Sequence, residues 1–425
     1  MISLGKTSKK IASNTVYQIV GKLVSLCVTV LATVIITRAY GKTGYGAFSL
    51  MQGWPALFFI IVDFGINAIA TRELSKDFSK AAKYIGNILL IRILFSAVFM
   101  AGLFLVLPLF SYSPALIFGI RLGLLLILTQ SLFATTNIIF QVKLRYDLST
   151  IGYACGYGVI LALIVVLSRL HLDVAWVNFG YVVGGFVTFG VNYLFVRKLG
   201  VNPKLAFDKS VWKYLLLQSL PLGLMFVFSQ LNFKSDTLLL SILKLPARYG
   251  LDSTESVAVY ALPYKVFEVS LVIPTFFMNS VYPILVRRLQ EGREKMKKTF
   301  LSILGILAAG SVVASVAGVL LSPWVIGFLG GAEFGQSTFV LQLLLGGLAL
   351  YFLTQPLSWL LVVLERQKYL PFIYLVGAIF DVTANFIFIP KYSFYASTVI
   401  THIAEFIILV LLVIFSVRAW REKYA

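Results

Sequence analysis

Long apolar runs, separated by short polar and basic segments, recur along the whole sequence. Twelve of these runs reach the ~20 residues that a helix needs to cross a bilayer. The runs cover residues 11–38, 45–71, 84–110, 115–142, 148–168, 174–196, 211–243, 256–286, 299–321, 336–364, 369–389 and 394–417. We therefore predict an all-α polytopic membrane protein with 12 transmembrane helices.

Composition agrees with this prediction, and the charge distribution adds an orientation. Hydrophobic residues make up 59% of the chain and charged residues 12%, whereas about 25% of an average soluble protein is charged. The net charge is +19, but most lysines and arginines fall in alternate connections between apolar runs, as they do in cytoplasmic loops. This distribution argues against nucleic-acid binding and predicts that both termini are cytoplasmic (N-in, C-in).

One polar connection divides the runs into six and six. We predict an N-terminal six-helix lobe of residues 1–198, a cytoplasmic linker of residues 199–210 and a C-terminal six-helix lobe of residues 211–425. A weak internal echo, Tyr45–Leu50 against Val257–Leu262, favours two pseudo-symmetric lobes that arose by duplication. Transporters built from such repeats bind their substrates where the repeats meet.

The segment Gln230–Leu240 lies inside an apolar run and contains both an ammonium and a carboxylate, Lys234 and Asp236. An ionised side chain at the centre of an inserted helix costs roughly 2.5–3.5 kcal/mol, so it faces a bundle interior or a water-filled cavity. Helical spacing puts Lys234 and Asp236 on different faces. We expect a partner helix on one side of this segment and water on the other.

Basic side chains in or beside the spans suit an anionic substrate, and two tyrosines at four-residue spacing suit sugar rings. The substrate-binding candidates are Lys22, Arg38, Arg92, Arg121, Lys234, Lys265, Tyr260 and Tyr264. Lys22 belongs to a polar stripe on the first helix that also contains Asn14, and this stripe either faces a cavity or packs against another helix. Arg121 is close enough to the outer turn to reach the interface, and the tyrosines are also compatible with an aromatic belt.

Acidic side chains in the spans suit the binding of a coupling ion, H⁺ or Na⁺. The candidates are Asp63, Asp236, Glu268, Asp381 and Glu405. Three of them also have a purely structural interpretation: Asp63 fixing helix packing, Glu268 pairing with Lys265, and Glu405 forming a satisfied pair with His402. Within the spans, the first half of the chain has an excess of cations and the second half an excess of carboxylates, which suggests that the halves handle an anionic substrate and a cation respectively.

Sequence signatures of catalysis are missing. We find no phosphate-binding glycine loop, no His/Cys metal cluster and no nucleophile motif, and no connection is long enough to form a soluble domain. We therefore predict that the protein is not an enzyme, and that it has no metal site and no cofactor apart from a coupling ion.

Several loose motifs follow one another in a characteristic order. They are Thr37-Arg-Ala-Tyr-Gly-Lys-Thr-Gly-Tyr-Gly-Ala-Phe-Ser49, Asp63-Phe-Gly-Ile, Thr71-Arg-Glu-Leu-Ser75, Asp236-Thr-Leu-Leu-Leu240, Val259-Tyr-Ala-Leu-Pro-Tyr-Lys265 and Asn385-Phe-Ile-Phe-Ile-Pro-Lys-Tyr392. With these motifs the chain resembles, over nearly its whole length, the Wzx-type polysaccharide (O-antigen repeat-unit) flippases of the multidrug/oligosaccharidyl-lipid/polysaccharide (MOP) exporter superfamily. It departs from the family in a longer connection between the seventh and eighth helices, and in Ser393-Phe-Tyr where glycines are expected after Pro390.

The resemblance implies two six-helix lobes that alternate between inward and outward openings in the prokaryotic cytoplasmic (inner) membrane. It implies a sugar chain on polyprenyl pyrophosphate as substrate, moved from the cytoplasmic to the outer leaflet. The implied partners are this lipid-linked oligosaccharide, membrane lipids, and polysaccharide polymerase and chain-length machinery.

Three other functions remain open. A multidrug (MATE-like) or cation antiporter shares the layout, but it would have acidic residues in its chamber, and the embedded Lys22 and Arg92 count against it. A lipid II flippase is chemically closer, although that branch usually has more than twelve helices. A membrane scaffold would need none of the embedded cations.

Overall fold

The computed structural model describes the backbone of residues 4–424 and the side chains of residues 16–424, so Lys6, Lys9, Lys10 and the stripe residue Asn14 lie outside the described side chains. The described chain is helical, without β-strands. Its helices are α1 (Leu4–Asp63), α2 (Ile66–Lys76), α3 (Ala81–Val106), α4 (Pro114–Gly123), α5 (Leu125–Lys143), α6 (Tyr146–Arg169), α7 (Val174–Lys198), α8 (Lys209–Ile242), α9 (Ser253–Ser270), α10 (Val272–Gln290), α11 (Arg293–Leu329), α12 (Gly335–Gly346), α13 (Leu348–Val363), α14 (Leu370–Tyr392) and α15 (Phe394–Tyr424). The all-α prediction is confirmed.

Eleven segments of the described chain are long and apolar enough to cross a membrane, and the protein is an integral membrane protein. The first of them, Val16–Lys76, spans 61 residues, and its backbone departs from helical geometry at Gly41, where φ is 64°. The 60 residues of α1 therefore form two helical stretches on either side of Gly41. At 1.5 Å per residue the two together contain about 90 Å of helix, roughly three times the hydrocarbon thickness. A second crossing within this segment would give twelve; that number and the N-in, C-in orientation stay predictions.

Breaks within spans lie at backbone turns more than at prolines. Proline inside a span removes a helical hydrogen bond and can kink the helix, yet α8 and α13 continue through Pro221 and Pro356. The break near Pro274 comes earlier, at Leu271, which separates α9 from α10. Proline is tolerated in the first turn of a helix because the amide it lacks has no partner there. A further break lies at Gly65, where φ is 70°.

The chain forms two compact units, residues 1–227 and 228–425. The boundary between these units falls inside α8, and the lobes 1–198 and 211–425 with the linker 199–210 stay predictions. The first turns of α8 belong to unit 1 because Leu215 is buried in the same apolar cluster as Ile88 and Phe140.

The linker itself is fastened to α3. Lys83 Nζ lies 2.6 Å from an oxygen of Asp208, and the Asp208 amide donates to Asn87 Oδ1 at 2.8 Å. The hydrogen bond from Lys83 holds the pKa of the Asp208 carboxyl well below its usual range. One turn away, a Cβ on Gly86 would lie 2.0 Å from the carbonyl oxygen of Lys204, so only glycine permits this approach.

Candidate functional site

An ion pair between a fully buried arginine and a partly exposed aspartate lies in unit 1. Arg92 of α3 is 0% exposed, and it forms a short ion pair with Asp63 at the end of α1. The same guanidinium donates to Asn67 Oδ1 at 3.0 Å, to Thr135 Oγ1 at 2.7 Å and to the Ser131 carbonyl at 3.0 Å. Its charge is balanced and both terminal nitrogens are hydrogen-bonded, while Nε has no partner in the described structure. Because the side chain is also fully buried, Arg92 is closed to substrate in this conformation.

The break between α1 and α2 creates this pair. Phe64 and Gly65 both have positive φ, 41° and 70°. The turn places Asp63 and Asn67 side by side, and Asn67 Nδ2 donates to Asp63 Oδ1 at 2.9 Å. The structural interpretation of Asp63, in which it fixes the packing of neighbouring helices, matches this geometry.

A second ionic cluster, in unit 2, leaves one positive charge uncompensated. Glu268 of α9 forms a short ion pair with Lys234 of α8, and its other oxygen lies 3.7 Å from Lys265 Nζ. The expected Lys265–Glu268 pair is thus present, and Lys234 shares the same carboxylate. The three side chains are 26%, 49% and 27% exposed for Lys234, Lys265 and Glu268, so this cluster is accessible. One carboxylate between two ammoniums has a net charge of +1, which suits an anion.

Asp236, two residues from Lys234, is fully buried among hydrogen-bond donors. Tyr260 Oη donates to it in a short hydrogen bond. Thr401 Oγ1 and Asn385 Nδ2 each donate to Asp236 at 2.7 Å. The carboxylate therefore joins helices α8, α9, α14 and α15 of unit 2. No ammonium or guanidinium of the described side chains lies within 4.0 Å of it.

Asp381 of α14 completes this network. It accepts a hydrogen bond from Ser235 Oγ at 2.8 Å and lies close enough to Asp236 for the two carboxyl groups to interact. Two oxygens here have no hydrogen-bond partner in the described structure, Asp381 Oδ1 and Asn385 Oδ1, although both are buried. Two carboxyl groups and neutral oxygens without a cation are a ligand set that suits H⁺ or Na⁺, since hard cations prefer oxygen ligands.

Glu405 and His402 have separate partners. Glu405 accepts from Thr354 Oγ1 at 2.6 Å. His402 Nε2 lies 2.9 Å from the Leu343 carbonyl, and its Nδ1 lies 3.5 Å from Tyr351 Oη. The described structure shows no hydrogen bond between His402 and Glu405, so the expected pair is not formed. Glu405 is another buried carboxylate without a cation in the part of the chain that the structure describes.

The other candidates differ in exposure. Lys22 and Arg38 are exposed. Arg121 lies with its guanidinium 3.9 Å from the centre of the Phe104 ring, a contact that agrees with the interfacial interpretation. Tyr260 and Tyr264 are 0% and 4% exposed; we had expected them to face water or the membrane interface, and in this conformation they are packed within unit 2.

Sequence reasoning missed Thr401 and Ser235 as members of the acidic network. Hydroxyl residues are common in membrane helices, so neither contrasts with its surroundings. A signal for Thr401 was present, because Ser397, Thr401 and Glu405 follow at four-residue spacing and share one face of α15. The described side chains contain no group of three His, Cys, Asp or Glu residues that could hold a metal ion.

The family comparison covers most of unit 1 and part of unit 2. Residues 9–289 match the model of a family described as "Polysaccharide biosynthesis protein". No curated protein sequence matches the chain.

Solved structures of MOP superfamily transporters share the fold. An inward-facing multidrug resistance MATE family transporter superposes with a TM-score of 0.74 at 12% identity, over 94% of this chain and 96% of that one. The lipid II flippase MurJ, in an inward closed conformation, gives 0.70 at 16% identity, over 95% and 90%. A MOP superfamily transporter from Pyrococcus furiosus, described as having a binding pocket of reverse polarity, gives 0.64 at 14% identity, over 97% and 96%. The predicted MOP-type fold is confirmed.

Proposed function

This chain belongs to the polysaccharide biosynthesis protein family, and on that premise we propose that it is a flippase for lipid-linked oligosaccharides. Its substrate would be an oligosaccharide on polyprenyl pyrophosphate, moved from the cytoplasmic to the outer leaflet of a prokaryotic cytoplasmic membrane by alternating access. The observation that carries the proposal is the accessible Lys234–Glu268–Lys265 cluster with its net positive charge.

The pyrophosphate is the part of the substrate that most needs the protein. Burying such a charge in hydrocarbon without partners costs far more than thermal energy. Lys234 and Lys265 would replace the hydration of the pyrophosphate. Glu268 would compete with the pyrophosphate for these two ammonium groups, and this competition would keep the binding reversible. The polyprenyl tail stays in lipid. An inside-negative potential favours outward movement of an anion by about 2.3 kcal/mol per charge per 100 mV.

The acidic network of unit 2 would bind the coupling ion. Asp236 and Asp381 repel each other when both are ionised, and this repulsion is strong at low dielectric. A proton or Na⁺ between them would remove the repulsion and would satisfy Asn385 Oδ1, which lacks a partner. Because Tyr260 and Thr401 bind Asp236 from two other helices, occupancy of this network would change how α8, α9 and α15 are held together.

The test is leaflet translocation of a polyprenyl-pyrophosphate-linked glycan in proteoliposomes. We expect Lys234→Gln to reduce the initial rate by about tenfold or more, since one charge-assisted contact to the head group contributes about 1.5–3 kcal/mol. Lys213→Gln is the matched control, because Lys213 lies on the same helix, is exposed and forms no ion pair within the described structure. Equal rates for the two variants would remove the head-group role of Lys234.

A cation-coupled antiporter is the second candidate function, supported by the unpaired carboxylates Asp236 and Asp381. If the wild type does not move the glycan but exchanges an organic cation for H⁺ or Na⁺, and Asp236→Asn abolishes this exchange, the antiporter replaces the flippase. Lipid II in the same translocation assay tests the third candidate, since it has the same polyprenyl pyrophosphate with a different sugar.

A further inference from the structure

Unit 1 contains a pocket that none of the ionic clusters touches. Its volume is about 280 Å³, slightly below the ≈ 300–1,000 Å³ usual for pockets that bind drug-sized ligands. Helices α1, α5, α6 and α7 line it, and the lining includes Gln52, Gln130, Phe133, Tyr153, Tyr157 and Tyr181. No residue of its lining is charged.

Part of the hydrogen-bonding capacity of this pocket is already used. Gln52 Nε2 donates to Asn178 Oδ1 at 2.7 Å, and Ser25 Oγ donates to Tyr157 Oη at 3.3 Å. Thr129 and Thr188 donate to carbonyl oxygens of their own helices. These groups hold the walls of the pocket in place.

Three polar groups of the pocket have no hydrogen-bond partner among the described residues: the amide of Gln130 and the hydroxyls of Tyr153 and Tyr181. None of the three belongs to the fully buried polar groups without a hydrogen-bond partner, so each remains partly accessible to solvent. Tyr153 and Tyr181 also lie close enough to Tyr157 to interact electrostatically with it. The free donors and acceptors therefore converge on one small volume, and each of them is uncharged.

The aromatic rings give the pocket flat apolar walls. Phe133 and Tyr153 meet edge to face with centroids 4.5 Å apart, and Tyr153 and Tyr157 lie 5.6 Å apart at 34°. A sugar ring has the complementary surface, because its C–H face is apolar and its hydroxyls both donate and accept hydrogen bonds. An anion is disfavoured, since its charge would lose hydration without gaining a counter-ion.

We propose that this pocket is a subsite for one neutral sugar ring of the translocated glycan. That the bound sugar belongs to a translocated glycan rests on the proposed flippase function. The binding of a sugar ring is a property of unit 1 and can be tested without it. The pyrophosphate and any uronic acid bind elsewhere, so the subsite selects uncharged hexose units and contributes to the choice of repeat unit.

The experiment measures binding of methyl glycosides to the purified full-length protein by saturation-transfer difference NMR. The protein is held in a detergent without a sugar head group, because alkyl glycosides would compete for the pocket. We expect at least one neutral methyl hexoside to bind the wild type. The Tyr153→Phe/Tyr181→Phe double variant should bind it roughly 4- to 100-fold more weakly, since each lost hydrogen bond gives about a two- to tenfold effect.

Two further variants complete the design. Tyr193→Phe is the matched control, because Tyr193 belongs to α7 as Tyr181 does, yet its hydroxyl lies 3.5 Å from the Pro203 carbonyl, outside the pocket lining; its affinity should equal that of the wild type. Ala134→Leu fills the pocket without removing a polar group, and it should abolish binding.

The proposal is overturned if no neutral hexoside binds the wild type, if the double variant and Ala134→Leu bind as the wild type does, or if methyl glucuronide binds as well as the neutral ring. It is also overturned if an organic cation, in place of a glycoside, is the ligand lost in these variants. Glycoside binding without glycan translocation would refute the flippase and leave the subsite standing. Translocation that all pocket variants preserve, with unchanged binding, would refute the subsite alone.

Discussion

Removing the counter-ion of Arg92 should destabilise the protein more than removing Arg92 itself. In Asp63→Asn the guanidinium stays fully buried with only neutral acceptors, and an uncompensated buried charge costs about 3–5 kcal/mol. In Arg92→Met the remaining Asp63 is 19% exposed and keeps its hydrogen bond from Asn67, so we expect a loss near the lower end, about 3 kcal/mol. The double variant leaves neither charge behind and should lose less than Asp63→Asn.

The assay is the free energy of unfolding in mixed micelles, measured by denaturant titration with all variants in the same detergent. Arg121→Met is the matched control. Its guanidinium lies 3.9 Å from the Phe104 ring centre and 3.3 Å from the Phe104 carbonyl oxygen, and losing this interaction should cost about 1 kcal/mol or less. The prediction is wrong if Arg92→Met loses as much stability as Asp63→Asn or more, and the double variant loses the sum of both. That result would mean that packing and not charge balance determines the stability of this site.

Two predictions concern the docking of the linker on α3. Gly86→Ala should lower the free energy of unfolding by about 1–3 kcal/mol, because the new Cβ meets the Lys204 carbonyl. The control is Gly102→Ala, on the same helix with nothing within 4 Å, which should be neutral or slightly stabilising. Equal losses in the two variants would contradict the contact between Gly86 and Lys204. Asp208 has a lowered pKa because it binds Lys83, so it stabilises the fold above its unfolded pKa of about 3.9 and loses this contribution as pH falls towards its folded pKa. Asp208→Asn should therefore lower Tm at pH 7 and approach the wild-type Tm below about pH 4; a Tm difference that persists in acid would show that another interaction is responsible.

The membrane spans could be predicted from the sequence because hydropathy and length are local properties. The breaks within them could not, since tertiary contacts decide whether a helix bends. Helices α8 and α13 continue through Pro221 and Pro356, whereas the break at Leu271 lies three residues before Pro274, so the presence of a proline does not tell which span will break. The turn at Ser393, by contrast, had a sequence signal. Its φ of 52° is a conformation that favours glycine, and glycine is the residue that the family resemblance leads one to expect there.

The charged site residues could also be predicted, because a charge in an apolar run contrasts with its neighbours. Their pairing could not, since it depends on contacts between distant helices: Thr401 is 165 residues from Asp236, and Ser235 is 146 residues from Asp381. The pocket of unit 1 was even harder to predict from the sequence. Tyrosine, glutamine and phenylalanine are ordinary in membrane helices, and only their convergence on one volume distinguishes Tyr153 and Tyr181.

The ionic groups of the two units differ in their surroundings. In the first half of the chain Asp63 neutralises Arg92, Lys22 and Arg121 remain as the cation excess, and the accessible pocket of that unit is lined by uncharged residues. Unit 2 contains both the Lys234 cluster with its net positive charge and the network of unpaired carboxylates around Asp236. Because Lys234 and Asp236 are two residues apart on α8, a movement of this helix that releases an anion from one face also changes the ligand set of the carboxylates on the other. On our proposals, the release of the pyrophosphate head group and the binding of the coupling ion would therefore be linked through α8, while the pocket of unit 1 binds the neutral sugars.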